Sequence, residues 1–287
     1  MTVVVVGVDG SPASTAALKW AAAEAWLREV ELLVLASYRW RPLGGHLPGR
    51  GEARPPVTEQ RAREIVDEAV ASARTITSEV RGRTVAGHPV KVMLEAARDA
   101  GLVVVGDGGR GGFTGLLLGS ASAQVSAHSP GPVVVVRGRA NTAIGPVVVG
   151  VDSSHSAQQA LRTAFAETAL RRQAPLVAVT AYTAPLPPWT GGMPPIGYDA
   201  ERLDADLRAE LASRLATWRD GYPDVVVECE VVRGAAAAIL AERSRQAQLL
   251  IVGARSHGGF DGLLLGSVSQ HLLHHADCPV LIARTRN

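Results

Sequence analysis

Short runs of β-branched residues alternate with longer, alanine-rich stretches whose apolar positions recur every three or four residues along the chain. The first pattern suits strands and the second amphipathic helices, and their alternation predicts βαβ units feeding a parallel sheet. Strands are expected near 3–8, 31–36, 80–86, 102–106 and 133–137, with helices near 12–28, 59–77, 89–99 and 119–128. A second series of strands follows near 147–151, 175–181, 225–232, 249–253 and 279–283. Runs such as Val133 to Val136 are apolar at every position, as strands covered on both faces must be. Right-handed crossovers then give a doubly wound sheet, whose ligands are expected beyond the carboxyl ends of the strands at a switch in strand order.

The two series are copies of one unit. Val4–Ser11 (VVVGVDGS) recurs as Val147–Ser154 (VVVGVDSS), offset by 143. Gly106–Ser120 (GDGGRGGFTGLLLGS) recurs as Gly253–Ser267 (GARSHGGFDGLLLGS), offset by 147, so the second copy has gained four residues in between. Two tandem five-stranded domains are therefore expected, 1–140 and 145–287, joined across 139–145. Gly- and Pro-rich loops fill 38–57 and 183–198, the equivalent places after each second strand.

A chain of 287 residues is long enough for two such cores. Apolar residues at 47% and charged residues at 20% are the balance of a globular protein. No apolar run approaches the roughly 20 residues of a membrane-spanning helix, and no basic and then apolar leader opens the chain, so no membrane association and a cytoplasmic location are expected. The net charge of +2 is spread along the chain and points to no nucleic-acid partner. Cys229 and Cys278 have neither disulfide nor metal-ligand spacing and are read as packing residues. The only lysines, Lys19 and Lys91, do not stand in a Walker-type phosphate loop, so any phosphate must be held another way.

The glycine cluster after each fourth strand offers that way. Glycines permit left-handed backbone and let phosphate oxygens come close to N–H groups, and the cluster ends where a helix opens. Ser120 is expected to cap that helix, whose N-terminus attracts anions. Gly106, Gly109 and Gly119-Ser120 fit the spacing G-x2-G-x9-G-[S/T], which resembles the ATP-binding signature of the universal stress protein family. Val8-Asp9-Gly10-Ser11 resembles that family's opening motif, and His274-His275-Ala276-Asp277-Cys278-Pro279-Val280 its closing segment.

The resemblance covers essentially the whole chain. It implies two Rossmann-like domains of the adenine nucleotide alpha hydrolase type, and ATP, with or without Mg2+, lying across the strand ends. By that resemblance Asp9 and Asp152, following Gly7 and Gly150, would sit near ribose, phosphates and magnesium. A helix-capping role for the two aspartates, before Ser11-Pro12 and Ser153-Ser154, is the structural alternative. Adenine would stack near Ser37 and Ala181, and Gly87 and Gly234 would approach the ligand or simply form turns. The first phosphate cradle would be Gly106, Asp107, Gly108, Gly109, Arg110, Gly111, Gly112, Gly119, Ser120 and Ala121. The second would be Gly253, Ala254, Arg255, Ser256, His257, Gly258, Gly259, Gly266, Ser267 and Val268.

The cradles differ. The first has Gly108 where the family usually carries an arginine, while the second keeps Arg255 but has Ser256 in place of the second motif glycine, so unequal affinities are expected. His271, His274 and His275 share metal-ligand spacing on one helical face, but the first copy has Gln124, Ala127 and His128 there, and a polar helix end is the expected reading. Asp9, Asp152, Arg110 and His257 do not assemble a recognisable set for hydrolysis, so nucleotide-dependent regulation is expected ahead of slow ATP hydrolysis. AMP or cyclic AMP are alternative ligands, and a structural protein with vestigial pockets is the third reading. The apolar last strands are expected to be edges that pair, within one chain or in a homodimer.

Overall fold

The computed structural model describes residues 3–39, 57–108, 118–140, 144–172, 174–183, 199–254 and 265–285. These divide into two units, Met1–Thr142 with Asp277–Asn287, and Ala143–Ala276.

The first unit runs β1 (Val3–Gly7), α1 (Pro12–Leu27), β2 (Leu32–Tyr38), α2 (Glu59–Ala73), β3 (Val80–Ala86), α3 (Pro89–Ala96), β4 (Ala100–Gly106), α4 (Ser120–His128) and β5 (Val133–Val136). Its strands lie in the order β3-β2-β1-β4-β5, all parallel. The order reverses between β1 and β4, so the ends of those strands open the crevice where ligands of this architecture bind. The register Gly7↔Leu35 against β2 and Val6↔Val104 against β4 brings the loops after β1 and β4 to the same edge.

The second unit runs β6 (Val147–Gly150), α5 (His155–Leu170), β7 (Leu176–Tyr182), α6 (Ala200–Arg219), β8 (Val227–Arg233), α7 (Ala236–Ser244), β9 (Leu249–Gly253) and α8 (Ser267–His275). Parallel pairing of β6 with β7 and β9, and of β7 with β8, reproduces the arrangement around the switch point.

The last strand, β10 (Val280–Ala283), repeats β5 at the end of the second copy. It runs antiparallel to β5, with Val280↔Val135, Leu281↔Val134 and Ile282↔Val133. The expected pairing of the two last strands is thus made within one chain. Two polar ties fix it: the Arg139 N–H donates to the Asp277 carbonyl at 2.8 Å, and the Arg284 guanidinium donates to the carbonyls of Ser126, Ala127 and Ser129 at 2.6–2.9 Å. Those carbonyls end α4, where a cation is also favoured by the helix dipole.

Small residues bring helices close to the sheets. The buried face of α1 is Ala17, Leu18, Ala21, Ala22 and Ala25, and that of α5 is built on Ala157, Ala160, Leu161, Ala164 and Phe165. Each of these helices also carries a buried acid paired one turn on. Glu24 meets Arg28 at 2.8 Å, and Glu167 meets Arg171 at 2.6 Å with both side chains under a tenth exposed.

Candidate functional site

The loop after the first strand of each unit is shaped by a short hydrogen-bond relay. Asp9 Oδ1 accepts from the Ser11 N–H at 2.9 Å, and the Ser11 hydroxyl accepts from the Ser14 N–H at 3.1 Å. In the second unit Asp152 Oδ1 accepts from the Ser154 N–H at 2.9 Å and from the Ser154 hydroxyl, while that hydroxyl caps Ala157 at 3.2 Å. The helix caps are therefore Ser11 and Ser154, and each aspartate orders the turn in front of the cap. Both aspartates are half-buried at the C-terminal edge of the strands.

Gly106 and Gly253 have a packing reason to be glycine. A Cβ at Gly106 would stand 2.6 Å from the Ala13 carbonyl oxygen, and one at Gly253 would stand 2.6 Å from Ser156 Oγ and 2.8 Å from its Cβ. The first turns of α1 and α5 press against these strand ends, so both glycines are required by helix-to-strand packing. Gly7 lies under Met93, whose sulfur would be 3.0 Å from a Cβ, and Gly150 lies under Leu240, whose Cδ1 would be 2.7 Å away. Gly108 is less constrained, its nearest such contact being Ala13 Cβ at 3.9 Å. Gly87 and Gly234 are turn glycines, with φ of 152° and 148°. Their N–H groups donate to the Tyr38 and Tyr182 carbonyls at 2.8 and 2.7 Å, which closes the end of β2 on β3 and of β7 on β8.

Ser120 was expected to cap α4, and the structure gives that place to Gly119, with Ser120 as the first helical residue. Gly266 and Ser267 stand in the same relation at α8. Both cap residues hydrogen-bond back to the loop, Gly119 N–H to Asp107 C=O at 2.7 Å and Gly266 N–H to Ala254 C=O at 2.8 Å. A second tie comes from two buried serines. Ser122 Oγ donates to Gly106 C=O at 2.6 Å, and Ser269 Oγ to Gly253 C=O at 2.7 Å. Together they clamp each helix N-terminus over a strand end and leave the N–H groups of the first turn pointing along the helix axis toward the crevice. Beside the first clamp, burial lowers the proton affinity of the Arg137 guanidinium, opposed by the charges of Asp107 and Asp277.

In the second unit these pieces enclose a cavity of about 70 Å3, which brings together Gly150, Asp152, Ala181, Gly253 and Val268, five residues singled out by the repeat and the resemblance. By such a measure it has room for on the order of five waters. Sequence reasoning missed the rest of its walls, among them Ser156 and Ala157 from the first turn of α5, Leu240 from α7, and Ser269 from α8. Ser269 was the one within reach, because Ser122 repeats it at the same 147-residue offset. Ser37, at the equivalent of Ala181, is half-buried near the end of β2. Gly109, Arg110, Gly111, Gly112, Arg255, Ser256, His257, Gly258 and Gly259 lie outside the described residues.

The histidines of α8 do gather, with the rings of His271 and His275 4.3 Å apart and those of His274 and His275 6.3 Å apart. Burial, and then the neighbouring His275 and His274, depress the pKa of His271 below its ordinary 6.5. Among the described residues no cluster of His, Cys, Asp and Glu is arranged to hold a metal ion, and no helix is long and apolar enough to cross a membrane. Cys229 and Cys278 are free thiols, the second buried.

Similarity to known proteins matches this architecture. A universal stress protein of Mycolicibacterium smegmatis is 37% identical over 296 residues, covering 99% of this chain and 97% of the relative. One of Mycobacterium tuberculosis is 36% identical over 306 residues, covering 98% and 94%. The crystal structure of a universal stress protein from Archaeoglobus fulgidus shares the fold at a TM-score of 0.63 and 21% identity over 98% of both chains. The profile of the universal stress protein family matches twice in succession, over 1–137 and 144–284, and the chain accordingly belongs to that family as a tandem member.

Proposed function

We propose that each repeat is a nucleotide-binding domain for an adenine nucleotide, ATP in the first place, and that occupancy makes the chain a nucleotide-dependent regulator in a stress response. The observation that carries this reading is the convergence of Gly150, Asp152, Ala181, Gly253 and Val268 on one cavity at the ends of β6, β7 and β9. The cavity accepts part of a nucleotide, and the N–H groups at the start of α8 are the donors that phosphate oxygens require in the absence of a Walker lysine. Ala181 and Val179 give the apolar wall suited to a base or ribose, while Asp152 gives one carboxylate.

Magnesium fits the same residues as a companion of the phosphates. It commonly takes one or two carboxylates and completes its octahedron with phosphate oxygens and water, which one aspartate per unit can satisfy. The role of this chain is to bind and orient.

Thermal unfolding with ATP, AMP or cyclic AMP, with and without Mg2+, tests the reading. A ligand at about 100 times its Kd stabilises the native state by about 2.7 kcal/mol, so ATP should raise Tm by several degrees while no ADP accumulates. No shift with any of the three would end the proposal, and steady ADP release would convert it to an ATPase. Light scattering of the same samples tests the homodimer that the family resemblance implies.

A further inference from the structure

The clamp at the helix N-terminus repeats in design, but what stands behind the aspartate loop does not. In the second unit Arg214 reaches from α6 to that loop, its Nη1 donating to the Asp152 backbone carbonyl at 3.1 Å while Nη2 meets Glu210 Oε1 at 2.6 Å. Three-quarters of the Arg214 side chain is withdrawn from solvent, whereas half of Glu210 is exposed. The arginine's charge is therefore less screened than that of its acidic partner. The corresponding loop of the first unit is met by an apolar side chain. Ile65, buried on α2, lies 3.3 Å from where a Cβ on Gly10 would stand.

This difference bears on an anionic ligand. Asp152 places a carboxylate against the cavity, and a carboxylate near a phosphate chain repels it. A guanidinium fixed on the backbone of the same residue offsets that repulsion, and the offset grows with the number of charges on the ligand.

We propose that Arg214 is a positioning and specificity-determining residue of the second site. It holds the Asp152 loop and supplies the positive field by which this site discriminates a nucleoside triphosphate from a monophosphate. The inference rests on the nucleotide-binding reading above.

Calorimetric titration of the full chain with ATP and with AMP, at fixed ionic strength and Mg2+, is the test, applied to the wild type, Arg214→Gln and Arg214→Lys. Glutamine keeps a donor for the carbonyl and removes the charge. Arg214→Gln should weaken ATP about five- to tenfold at one of two classes of site, change AMP by no more than about twofold, and leave the other class alone. Arg214→Lys should recover most of the loss. If the wild type binds neither nucleotide, the nucleotide reading falls and this inference with it. If the wild type binds but Arg214→Gln leaves the ratio of ATP to AMP affinity unchanged, whether by changing neither or by weakening both alike, the inference alone is overturned.

Discussion

Gly106 and Gly253 show how one residue type can be selected for a reason other than the one its motif suggests. Both were expected to bare the backbone for phosphate, yet each lacks a side chain because α1 or α5 already occupies that space. Gly106→Ala would drive a methyl group into the Ala13 carbonyl at 2.6 Å. Overpacking of this kind costs about 1–3 kcal/mol, so the variant should lose several degrees of Tm without any nucleotide present, and an unchanged Tm would refute the packing account. It is consequently a poor probe of binding. Asp152→Asn is the better one, since the amide oxygen can still accept from the Ser154 N–H and hydroxyl while the charge is gone. Its unliganded Tm should stay within about 2 °C of wild type, and its Mg2+-dependent affinity for ATP should fall about tenfold by isothermal titration. Full retention of that affinity would remove Asp152 from any metal–phosphate role. The aspartates and glycines were legible from sequence because they repeat at fixed offsets. The role of Leu240 was not, because a leucine on the apolar face of a helix carries no local signal of what lies across the sheet edge.

At the scale of elements, the alternation of β-branched and alanine-rich segments placed the ten strands and the four helices of the first copy within a few positions, because parallel strands covered on both faces must be apolar throughout. The helix starts were harder. Ser120 looked like a cap by residue type, but the cap position needs extended backbone, and Gly119 takes it with φ −60° and ψ 142° while its N–H ties to Asp107. What holds α4 and α8 over the strand ends is the buried serine three residues after each cap. Ser122→Ala leaves the Gly106 carbonyl short of one partner and should cost about 1–2 kcal/mol by urea unfolding. Ser269→Ala should act alike on the second unit and also weaken nucleotide binding there, since Ser269 lines the cavity.

The same helix α8 carries a pH dependence. Because the pKa of His271 is depressed in the folded chain, the unfolded chain binds more protons as pH falls through 6.5, and stability must fall with it. Urea midpoints of the wild type should therefore decline between pH 7.5 and pH 5.5. His271→Gln should flatten that part of the decline, and identical slopes for the two proteins would show that the histidine group contributes nothing.

For the whole molecule, the pairing of β10 with β5 decides a choice that the sequence left open, between edges that meet within one chain and edges that meet in a homodimer. Periodicity fixes that Val280–Ala283 is a strand, apolar on both faces, and the repeat assigns it to the second copy. Which edge it joins depends on side chains far away in sequence, such as Arg284 finding the carbonyls that end α4, more than 150 residues earlier. Its four residues are all buried, as are the four of β5 that it faces. Removing them would leave β5 with a row of unpaired backbone groups beside four valines, the kind of edge that recruits a strand from another molecule. A chain ending after Ala276 should thus self-associate in light scattering and unfold earlier in urea. Arg284→Met separates the two contributions: it removes the tie to α4 but keeps the strand, and should cost about 1–3 kcal/mol with no change in molecular mass. If the truncated chain instead keeps both its wild-type mass and its urea midpoint, the β5–β10 ladder is not what closes the first unit, and β5 must be protected by some other segment.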